Sequence, residues 1–435
     1  MQFGSTVSPE HEVSYKEAVI NCLPADGGLY IPSKAIDLRQ FFLYMDEETS
    51  YAELVAAVAP ALLQGEINPF SAARIAETAF DFEPEIIQLD EHLSILNLYS
   101  GPTGTFKDFG AVFHAAVLEE LLKDRHKTVI LSAARGDNGA CLGRAFYGRQ
   151  GLTSVMLFPT GPIRGLDPAF FVPNGGNIIP IQIKGTLDDC QRLIKEIIRD
   201  RPFAERYHIT SANSINPGRL LPQAFYYLFA FIKVKKHLSG DLFFSVPSGN
   251  FGNLISGLYA WKFGMPVNGF IAAMNSNNAF GDYIRGMQFE PRPLKHTNSP
   301  ALDVSVPSNY ERFSSFCSEA PAVMHNMVFP AAIDDITTVR TIEAAWKKYG
   351  ILLDPHTAVA LAAGEDFISS GGFPDIHIIV LATGHPAREA GLVKTATGQK
   401  VPLPEKLAML KKETDPIAVA EPRLDTLEGV IASCF

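Results

Sequence analysis

The sequence predicts an α/β protein that is built on open, mostly parallel sheets. From Leu96 onward, short apolar runs alternate with stretches of helical periodicity, which is the pattern of strand–helix–strand units. The apolar runs span residues 96–99, 128–132, 154–158, 178–183, 242–246, 267–273 and 377–381, and helical patterns such as 187–199 and 222–236 lie between them. The length of 435 residues exceeds what one hydrophobic core holds, so we expect two such domains.

Each segment of the chain has an expected place in this architecture. Residues 1–95 form a mixed, mostly helical N-terminal domain, with helical patterns at 51–63 and 75–80. Residues 96–220 form a smaller α/β domain, residues 221–405 form a larger one, and residues 406–435 form a C-terminal tail.

Composition and charge exclude several classes of protein. The net charge of -10 argues against a nucleic-acid binder, because phosphate contacts need a basic surface. The longest apolar run, residues 226–232, is too short to span a bilayer, and no secretory signal pattern is visible. The cysteines are scattered without a C-x-x-C pair, which favours reduced thiols in the cytoplasm. No metal site is expected, since the chain lacks H-E-x-x-H and neither His356 nor His385 has paired ligands.

Four loops rich in glycine and small polar residues directly follow apolar runs. They read SGPTGTFKDFG after residue 99, AARGDNGA after 132, PSGNFGN after 246 and ATGHPA after 381. Ligands of parallel sheets bind where loops leave the carboxyl ends of the strands. We therefore expect the four loops to share one end of the sheet and to assemble a site.

Lys107 lies near the start of an amphipathic helix, which apolar residues at spacings of three and four predict from Phe109 onward. A cation is unfavourable there, because the N-terminal end of the helix dipole is already positive. The loop does not match a P-loop, since Phe106 and Asp108 replace its glycine and its hydroxyl residue. Two interpretations remain: a structural lysine, or a lysine kept neutral so that it forms a Schiff base with an aldehyde.

The loop at 247–253 lies between a strand and an apolar helix and predicts an anion site. Small residues let backbone N–H groups converge at a helix N-terminus, where a phosphate is the usual occupant. The candidate residues are Ser248, Gly249, Asn250, Phe251, Gly252 and Asn253. The alternative is a tight turn between strand and helix that binds no ligand.

The other two loops offer polar side chains beside these two. Asp137 and Asn138 could reach a ring substituent or a substrate, or they could only cap a helix. Thr383 follows a strand, where its hydroxyl could bind a neutral pyridine nitrogen, although threonine is common at strand ends. A lysine for an aldehyde, a cradle for a phosphate, a polar loop beside a ring and a hydroxyl for the ring nitrogen together indicate pyridoxal phosphate.

The same residues resemble a known family. GPTGTFKDFG resembles the G-P-T-x-x-F-K-D lysine motif of the threonine synthases, which are pyridoxal phosphate enzymes of the tryptophan-synthase-β fold, called fold-type II. Further segments resemble that family in the same order: SYKEAVINCLPADGGLYIP, ITSANSINPGRLLPQAFYY, SVPSGNFGN, PALDVSVPSNYERF, DPHTAVAL and TGHPA. These landmarks extend from residue 14 to about residue 390.

The resemblance implies conversion of O-phospho-L-homoserine and water to L-threonine and phosphate. Lys107 would carry the cofactor and move protons between substrate carbons, Asp137 would face the ring hydroxyl, and Thr383 would bind the ring nitrogen. The substrate brings a second phosphate, for which the candidates are Ser214, Asn216, Arg219 and Arg285. Each of these four has an equally plausible role as a surface or capping residue.

Two departures from the family pattern leave alternatives open. Arg135 and Asn138 stand where small hydroxyl residues are usual, and Arg135 could bind the substrate carboxylate, narrow the pocket or turn to solvent. Gly104 and Thr105 stand where an apolar and a small residue are commoner. One alternative is a related phospho-lyase that ends at 2-oxobutyrate, ammonia and phosphate, and another is a non-catalytic binder that kept the fold. A homodimer is the expected assembly.

Overall fold

The computed structural model describes residues 1–123, 127–134, 136–160, 175–373, 375–409 and 416–435. Within them the strands are β1 (Gln2–Ser5), β2 (Val13–Ser14), β3 (Tyr30–Pro32), β4 (Glu85–Gln88), β5 (Leu93–Asn97), β6 (Thr128–Ala133), β7 (Leu152–Pro159), β8 (Ile178–Ile183), β9 (Ile209–Ser211), β10 (Asp241–Pro247), β11 (Gly269–Met274), β12 (Val328–Ala332), β13 (Ile376–Ala382) and β14 (Ala418–Ala420).

The helices of the same residues complete the element order. They are α1 (Tyr15–Asn21), α2 (Phe41–Tyr44), α3 (Tyr51–Leu62), α4 (Pro69–Ala79), α5 (Lys107–Leu122), α6 (Asp137–Phe146), α7 (Leu187–Arg199), α8 (Arg201–Arg206), α9 (Pro217–Leu220), α10 (Ala224–Val234), α11 (Gly252–Lys262), α12 (Ala279–Ile284), α13 (Tyr310–Glu319), α14 (Pro321–Met327), α15 (Asp335–Tyr349), α16 (Pro355–Ser369), α17 (Ala390–Thr397), α18 (Glu405–Ala408) and α19 (Leu424–Cys434). Short 3-10 turns occupy Leu221–Gln223, Pro300–Leu302 and Pro386–Glu389.

Two open sheets form the framework, as the alternating pattern predicted. The large sheet has the strand order β12-β11-β10-β13-β5-β4 and is parallel except for its edge strand β4. The small sheet has the order β14-β8-β7-β6-β9 and is parallel throughout. A separate antiparallel sheet, β2-β1-β3, belongs to the N-terminal segment. The α/β class with two mostly parallel sheets is therefore confirmed.

The sheets divide the chain differently from the expected segments. β5 pairs with β13 and so joins the large sheet, although the boundary at residue 96 assigned its apolar run to the smaller domain. β14 pairs with β8, and α19 packs on α7, so residues 416–435 return to the small sheet instead of forming a free tail. Sheet membership is a long-range property, because an apolar run has the same composition whichever sheet it enters.

The largest core surrounds α5 and α10. Every residue of α5 from Asp108 to Leu118 is buried, so the expectation of an amphipathic helix with one polar face is wrong. Helix α10 is buried along most of its length as well, with Tyr226 and Tyr227 fully enclosed. A helix that is buried on all sides is a core element. Lys107 is the first residue of α5, so this core helix fixes its position. Within the ranges that the structure describes, no helix combines the length and apolar character that crossing a bilayer requires.

Candidate active site

Three of the four glycine-rich loops leave neighbouring strands of the large sheet. β10 pairs in parallel with β13, and β13 pairs in parallel with β5. The loops that follow these strands therefore emerge side by side at their carboxyl ends. The fourth loop follows β6, which belongs to the small sheet. The expectation that all four loops share one sheet is wrong for this loop, which reaches the others from the opposite sheet.

Lys107 begins α5 at a junction between two of these loops. The backbone N–H of Phe106 donates to the carbonyl oxygen of Thr383 at 3.0 Å, which ties the lysine loop to the loop after β13. The Lys107 side chain is 23% exposed, and its Nζ lies 3.5 Å from Oδ2 of Asp137. The structure thus brings together Lys107, Thr383 and Asp137, as the sequence predicted.

Asp137 begins α6 and lies between two cations. Its Oδ2 faces Lys107, and its Oδ1 forms an ion pair with Nη2 of Arg388. Arg388 is 6% exposed, and its Nη1 also donates to the carbonyl oxygen of Thr103 at 2.8 Å. Burial by itself would raise the pKa of Asp137, but the charges of Arg388 and Lys107 lower that pKa to about 2. Asp137 is therefore a carboxylate at neutral pH.

Further ionisable groups line the same side of the site. Asp354 caps α16, and its Oδ1 lies 2.7 Å from Nδ1 of His356. Nε2 of His356 accepts the N–H of Ala301 at 3.1 Å, which only an unprotonated nitrogen can do. Burial raises the pKa of Glu389 to about 7, and the carboxylates of Asp137 and Asp354 add to that rise. These groups give this side of the site a dense arrangement of charges.

The loop before α11 is shaped by backbone geometry. Phe251 caps the helix in the left-handed conformation, with φ 60° and ψ 0°, and its ring packs against Phe280 at a centroid distance of 4.3 Å. Gly249 approaches another backbone segment so closely that a Cβ there would lie 2.8 Å from the carbonyl oxygen of Ala301. Asn250 Oδ1 accepts the N–H and the hydroxyl of Ser308 at 3.1 and 2.9 Å. These contacts with Phe280, Ala301 and Ser308 fix the conformation of the loop.

The start of α11 fits a phosphate group. The first N–H groups of a helix have no acceptor within the helix. Asn253 is 5% exposed, and its Oδ1 accepts the hydroxyls of Tyr226 and Tyr227 at 2.7 Å each. Its Nδ2 has no hydrogen-bond partner in the part of the chain that the structure describes. A phosphate oxygen would satisfy such a buried donor, whereas Ser248 directs its hydroxyl to the carbonyl of Val246 at 2.8 Å.

A second candidate anion site adjoins this loop. A Cβ on Gly252 would lie 3.9 Å from the Cβ of Ser214, so the segment around Ser214 borders the start of α11. Arg219 is 3% exposed; its Nη1 donates to the carbonyl of Ala212 at 2.9 Å and its Nη2 to Oδ1 of Asn138 at 2.7 Å. Three predicted substrate residues, Ser214, Arg219 and Asn138, therefore lie in one region.

The remaining predicted substrate residues differ from these. Asn216 is fully buried; its Oδ1 accepts the N–H of Gly218 at 2.9 Å, and its Nδ2 donates to two backbone carbonyls at 2.8 Å. This geometry favours its capping role. Arg285 is exposed at the end of α12 and pairs with Asp282 at 3.4 Å, which favours its role as a surface residue. Arg135 lies outside the described residues.

Sequence reasoning did not single out Arg388 or Arg312. Arg312 is completely buried, and its guanidinium donates to the carbonyls of Ser214 and Ile215 at 3.2 and 2.6 Å. It thereby supports the segment that carries Arg219. Both arginines lie inside or next to segments that resemble the family. That position in the sequence was the signal that could have identified them as candidate site residues.

Family comparisons cover nearly the whole chain. Residues 88–384 match the family described as pyridoxal-phosphate dependent enzyme. Residues 2–80 match the threonine synthase N terminus, and residues 357–431 match the threonine synthase C-terminal family.

Individual proteins and solved structures give the same family. The chain is 35% identical over 400 residues to threonine synthase of Escherichia coli K12, which covers 91% of each chain. It is 34% identical to threonine synthase of Serratia marcescens over 92% of this chain and 91% of that protein. The crystal structure of the Escherichia coli enzyme matches with a TM-score of 0.89 at 31% identity, covering 100% of both chains. A pyridoxal phosphate-bound threonine synthase from Brucella melitensis matches with a TM-score of 0.87 at 28% identity, covering 100% of this chain and 99% of that one.

Proposed function

Since the chain belongs to the threonine synthase family of pyridoxal phosphate-dependent enzymes, we propose how its own residues carry the reaction of that family. Its function is that of a threonine synthase: a fold-type II lyase that uses pyridoxal phosphate. The reaction converts O-phospho-L-homoserine and water to L-threonine and phosphate. The residue assignments below are proposals that rest on the geometry of the site.

The lysine loop and the start of α11 would hold the cofactor. Lys107 would hold its aldehyde carbon, the N–H groups around 248–253 and Nδ2 of Asn253 would hold its phosphate, and Thr383 would bind its ring nitrogen. When bound, pyridoxal phosphate supplies an electron sink for negative charge that develops on the substrate. The observation that carries this assignment is the meeting of Lys107 and Thr383 at adjacent loops, beside a helix start that has an unpartnered buried donor.

Arg219 and Ser214 bind the phosphate of the substrate. A guanidinium fixed by two hydrogen bonds is pre-organised for a phosphate, and its burial strengthens the attraction. Asn138 acts through Arg219, because its Oδ1 accepts a hydrogen bond from the guanidinium. We assign Asn216 to positioning this segment and give no substrate role to Arg285. The function of Arg135 stays a prediction.

Lys107 also moves the protons. Once its amine is free, it would take the proton of Cα and release it before it takes one from Cβ, which allows the γ-phosphate to leave. Protons would then return to Cγ and to Cα as the product forms. Asp137 lies 3.5 Å from Nζ of Lys107 and remains ionised, so it balances the charge when the amine is protonated. Water then adds at Cβ.

Turnover of O-phospho-L-homoserine tests this proposal when phosphate, threonine and 2-oxobutyrate are followed in one assay. We expect phosphate and threonine in equal amounts, with no 2-oxobutyrate. Phosphate with 2-oxobutyrate would instead identify the phospho-lyase and would make Arg135 and Asn138 the first residues to revert. Absence of phosphate from protein loaded with the cofactor would contradict the substrate. A cytoplasmic location and a homodimer stay predictions from the sequence.

A further inference from the structure

We propose that Arg388 is a positioning residue of the cofactor site, which fixes the Asp137 carboxylate and thereby keeps that carboxylate from holding Lys107 as a charged amine. The inference rests on the proposed role of Lys107 as the residue that carries the cofactor. Arg388 acts through Asp137, with which it forms an ion pair.

The geometry joins three chain segments at one guanidinium. Arg388 lies in the turn Pro386–Glu389, directly after the loop that carries Thr383. Its Nη1 donates to the carbonyl oxygen of Thr103 in the lysine loop at 2.8 Å, and its Nη2 pairs with Oδ1 of Asp137. Asp137 begins α6, which follows a strand of the small sheet, whereas the other two segments follow strands of the large sheet. Arg388 therefore connects the two sheets across the candidate site.

The burial of Arg388 makes the charge balance of this pair important. The Arg388 side chain is 4% exposed, whereas the Asp137 side chain is 19% exposed. The buried guanidinium has lost hydration, so removal of Asp137 would leave it uncompensated. Asp137 nevertheless keeps a low pKa of about 2, because Arg388 and Lys107 both oppose the effect of burial.

The two contacts of Asp137 are unequal, and the difference has a chemical consequence. The Arg388 contact is the closer one, whereas 3.5 Å separates Oδ2 from Nζ of Lys107, which is a loose ion pair. An amine attacks an aldehyde only in its neutral form. Without Arg388, Lys107 would be the remaining strong cation beside the carboxylate, and the ion pair would favour the protonated amine. Arg388 therefore competes with Lys107 for the Asp137 carboxylate.

Other ionisable groups lie near the same carboxylate. Besides Lys107 on α5 and Arg388, they include His356 and Asp354 at the start of α16 and Glu389 next to Arg388. Asp354 raises the pKa of His356 against the effect of burial. A substitution at Arg388 alters none of these side chains and removes a single charge.

Cofactor loading as a function of pH tests the inference. Apoprotein is mixed with pyridoxal phosphate, and the rate at which the visible absorbance of the bound cofactor appears is measured between about pH 6 and pH 10. Arg388→Gln should move the pH of half-maximal loading upward by about one unit, while Arg388→Lys, which keeps the charge, should stay within about half a unit of the parent. The double variant Asp137→Asn/Arg388→Gln should load with a midpoint at or below that of the parent, because no carboxylate is left to hold the ammonium.

A double-mutant cycle on the unfolding of apoprotein supplies a second readout that needs no cofactor. Asp137→Asn and Arg388→Gln should be coupled by at least about tenfold in the unfolding equilibrium constant, whereas the exposed pair Arg423–Asp425 should show less than about threefold coupling.

An unmoved loading midpoint in Arg388→Gln, or independent effects of the two substitutions, would overturn the inference. If Arg388→Gln does not fold, Arg388→Lys and the double variant still test the inference. A double variant whose pH of half-maximal loading lies above that of the parent would overturn the inference. A parent that gains no visible absorbance at any pH, with the coupling intact, would instead refute the proposed function of Lys107.

Discussion

The two sides of the candidate site hold charge by different means. The loop at 247–253 contains no charged residue and relies on backbone N–H groups, a left-handed Phe251 and Nδ2 of Asn253, which has no partner among the described residues. The charged side relies on ionised side chains: Lys107 and Arg388 both pair with Asp137, and Arg219 donates to Asn138, the residue that follows Asp137. Arg219 and Arg388 are almost fully buried, so this side carries formal charges into the interior.

This difference predicts different sensitivities. A cradle of backbone N–H groups does not titrate in the range where enzymes work, so it responds to shape and close contact. Buried ions lose hydration and recover it only through correct partners, so the charged side responds to the loss of a partner and to pH. Substitutions on the two sides should therefore differ in kind: those in the loop at 247–253 should act through shape, and those among the ionised side chains should act through charge and pH.

The largest effect is expected on the charged side, at Lys107. Lys107→Ala should lower turnover by at least about 10⁴-fold, because no other residue of the site is proposed to carry the cofactor or to move the protons. The neutral side should still bind pyridoxal phosphate without a covalent bond, which equilibrium dialysis measures, while the visible absorbance is lost.

A matched control for this variant is Lys123→Ala, because Lys123 follows the last residue of the same helix, α5, and its substitution leaves the site intact. Its turnover should equal that of the parent. If Lys107→Ala retained activity within about tenfold of the parent, the assignment of this lysine would be refuted.

Arg219→Lys should give the next largest effect and should act on the substrate alone. A lysine cannot reach Ala212 and Asn138 while it presents two donors to a phosphate, so kcat/KM should fall by about 10²–10³-fold. The absorbance of the bound cofactor should remain. Arg285→Lys is the control, since Arg285 is exposed at the end of α12 and should change kcat/KM by less than about twofold. Equal losses in both variants would contradict the assignment of the substrate phosphate.

The elements of the fold were largely predictable because their signals are local. The run at 178–183 coincides with β8, and the helical pattern at 187–199 coincides with α7. β9 and β12 were missed, since β9 has only three residues and β12 contains Pro330, which weakens a strand signal. Sheet membership could not be read, as β5 and β14 demonstrate, because it depends on pairing between distant segments.

The neutral side of the site was also more predictable than the charged side. Its signal is a contiguous stretch of small residues between a strand and a helix. On the charged side, Lys107 could be predicted for the same reason, because it lies in a similar glycine-rich loop before a helix. The pairing of Arg388 with Asp137 has no local signature, because nothing in the spacing of the turn around Arg388 shows that its side chain points into the site. The burial of Arg219 and Asn216 was equally invisible, so their surface and structural alternatives could be weighed only with the fold in hand.

A smaller effect, confined to the cofactor, is expected from Gly249→Ala. The added Cβ would lie 2.8 Å from the carbonyl oxygen of Ala301 and 3.0 Å from Cα of Leu302, and both contacts are with backbone atoms, so the loop must shift. The dissociation constant for pyridoxal phosphate should rise by about 10- to 100-fold, whereas KM for the substrate should change by less than about threefold in saturating cofactor. Gly372→Ala is the control, since no atom of the described residues, apart from its chain neighbours, lies within 4 Å of its Cβ position. A Gly249→Ala variant with unchanged cofactor affinity would remove the shape sensitivity assigned to the neutral side.

The smallest effect tests the charged side through pH. Burial raises the pKa of Glu389 from 4.5 to about 7, Asp137 and Asp354 add to the rise, and His356 and Arg388 oppose it. A carboxyl with a raised pKa in the folded state contributes stability that is fully present below pH 4.5 and is lost as the pH rises through 7, because the unfolded chain releases its proton first. Glu389→Gln removes this dependence, so its free energy of unfolding relative to the parent should rise by about 2 kcal/mol between pH 4 and pH 8. Urea unfolding of both apoproteins at several pH values measures the difference. A difference in the free energy of unfolding that stays constant between pH 4 and pH 8 would contradict the raised pKa of Glu389. Glu389 would then not belong to the group of buried, interacting charges around Asp137.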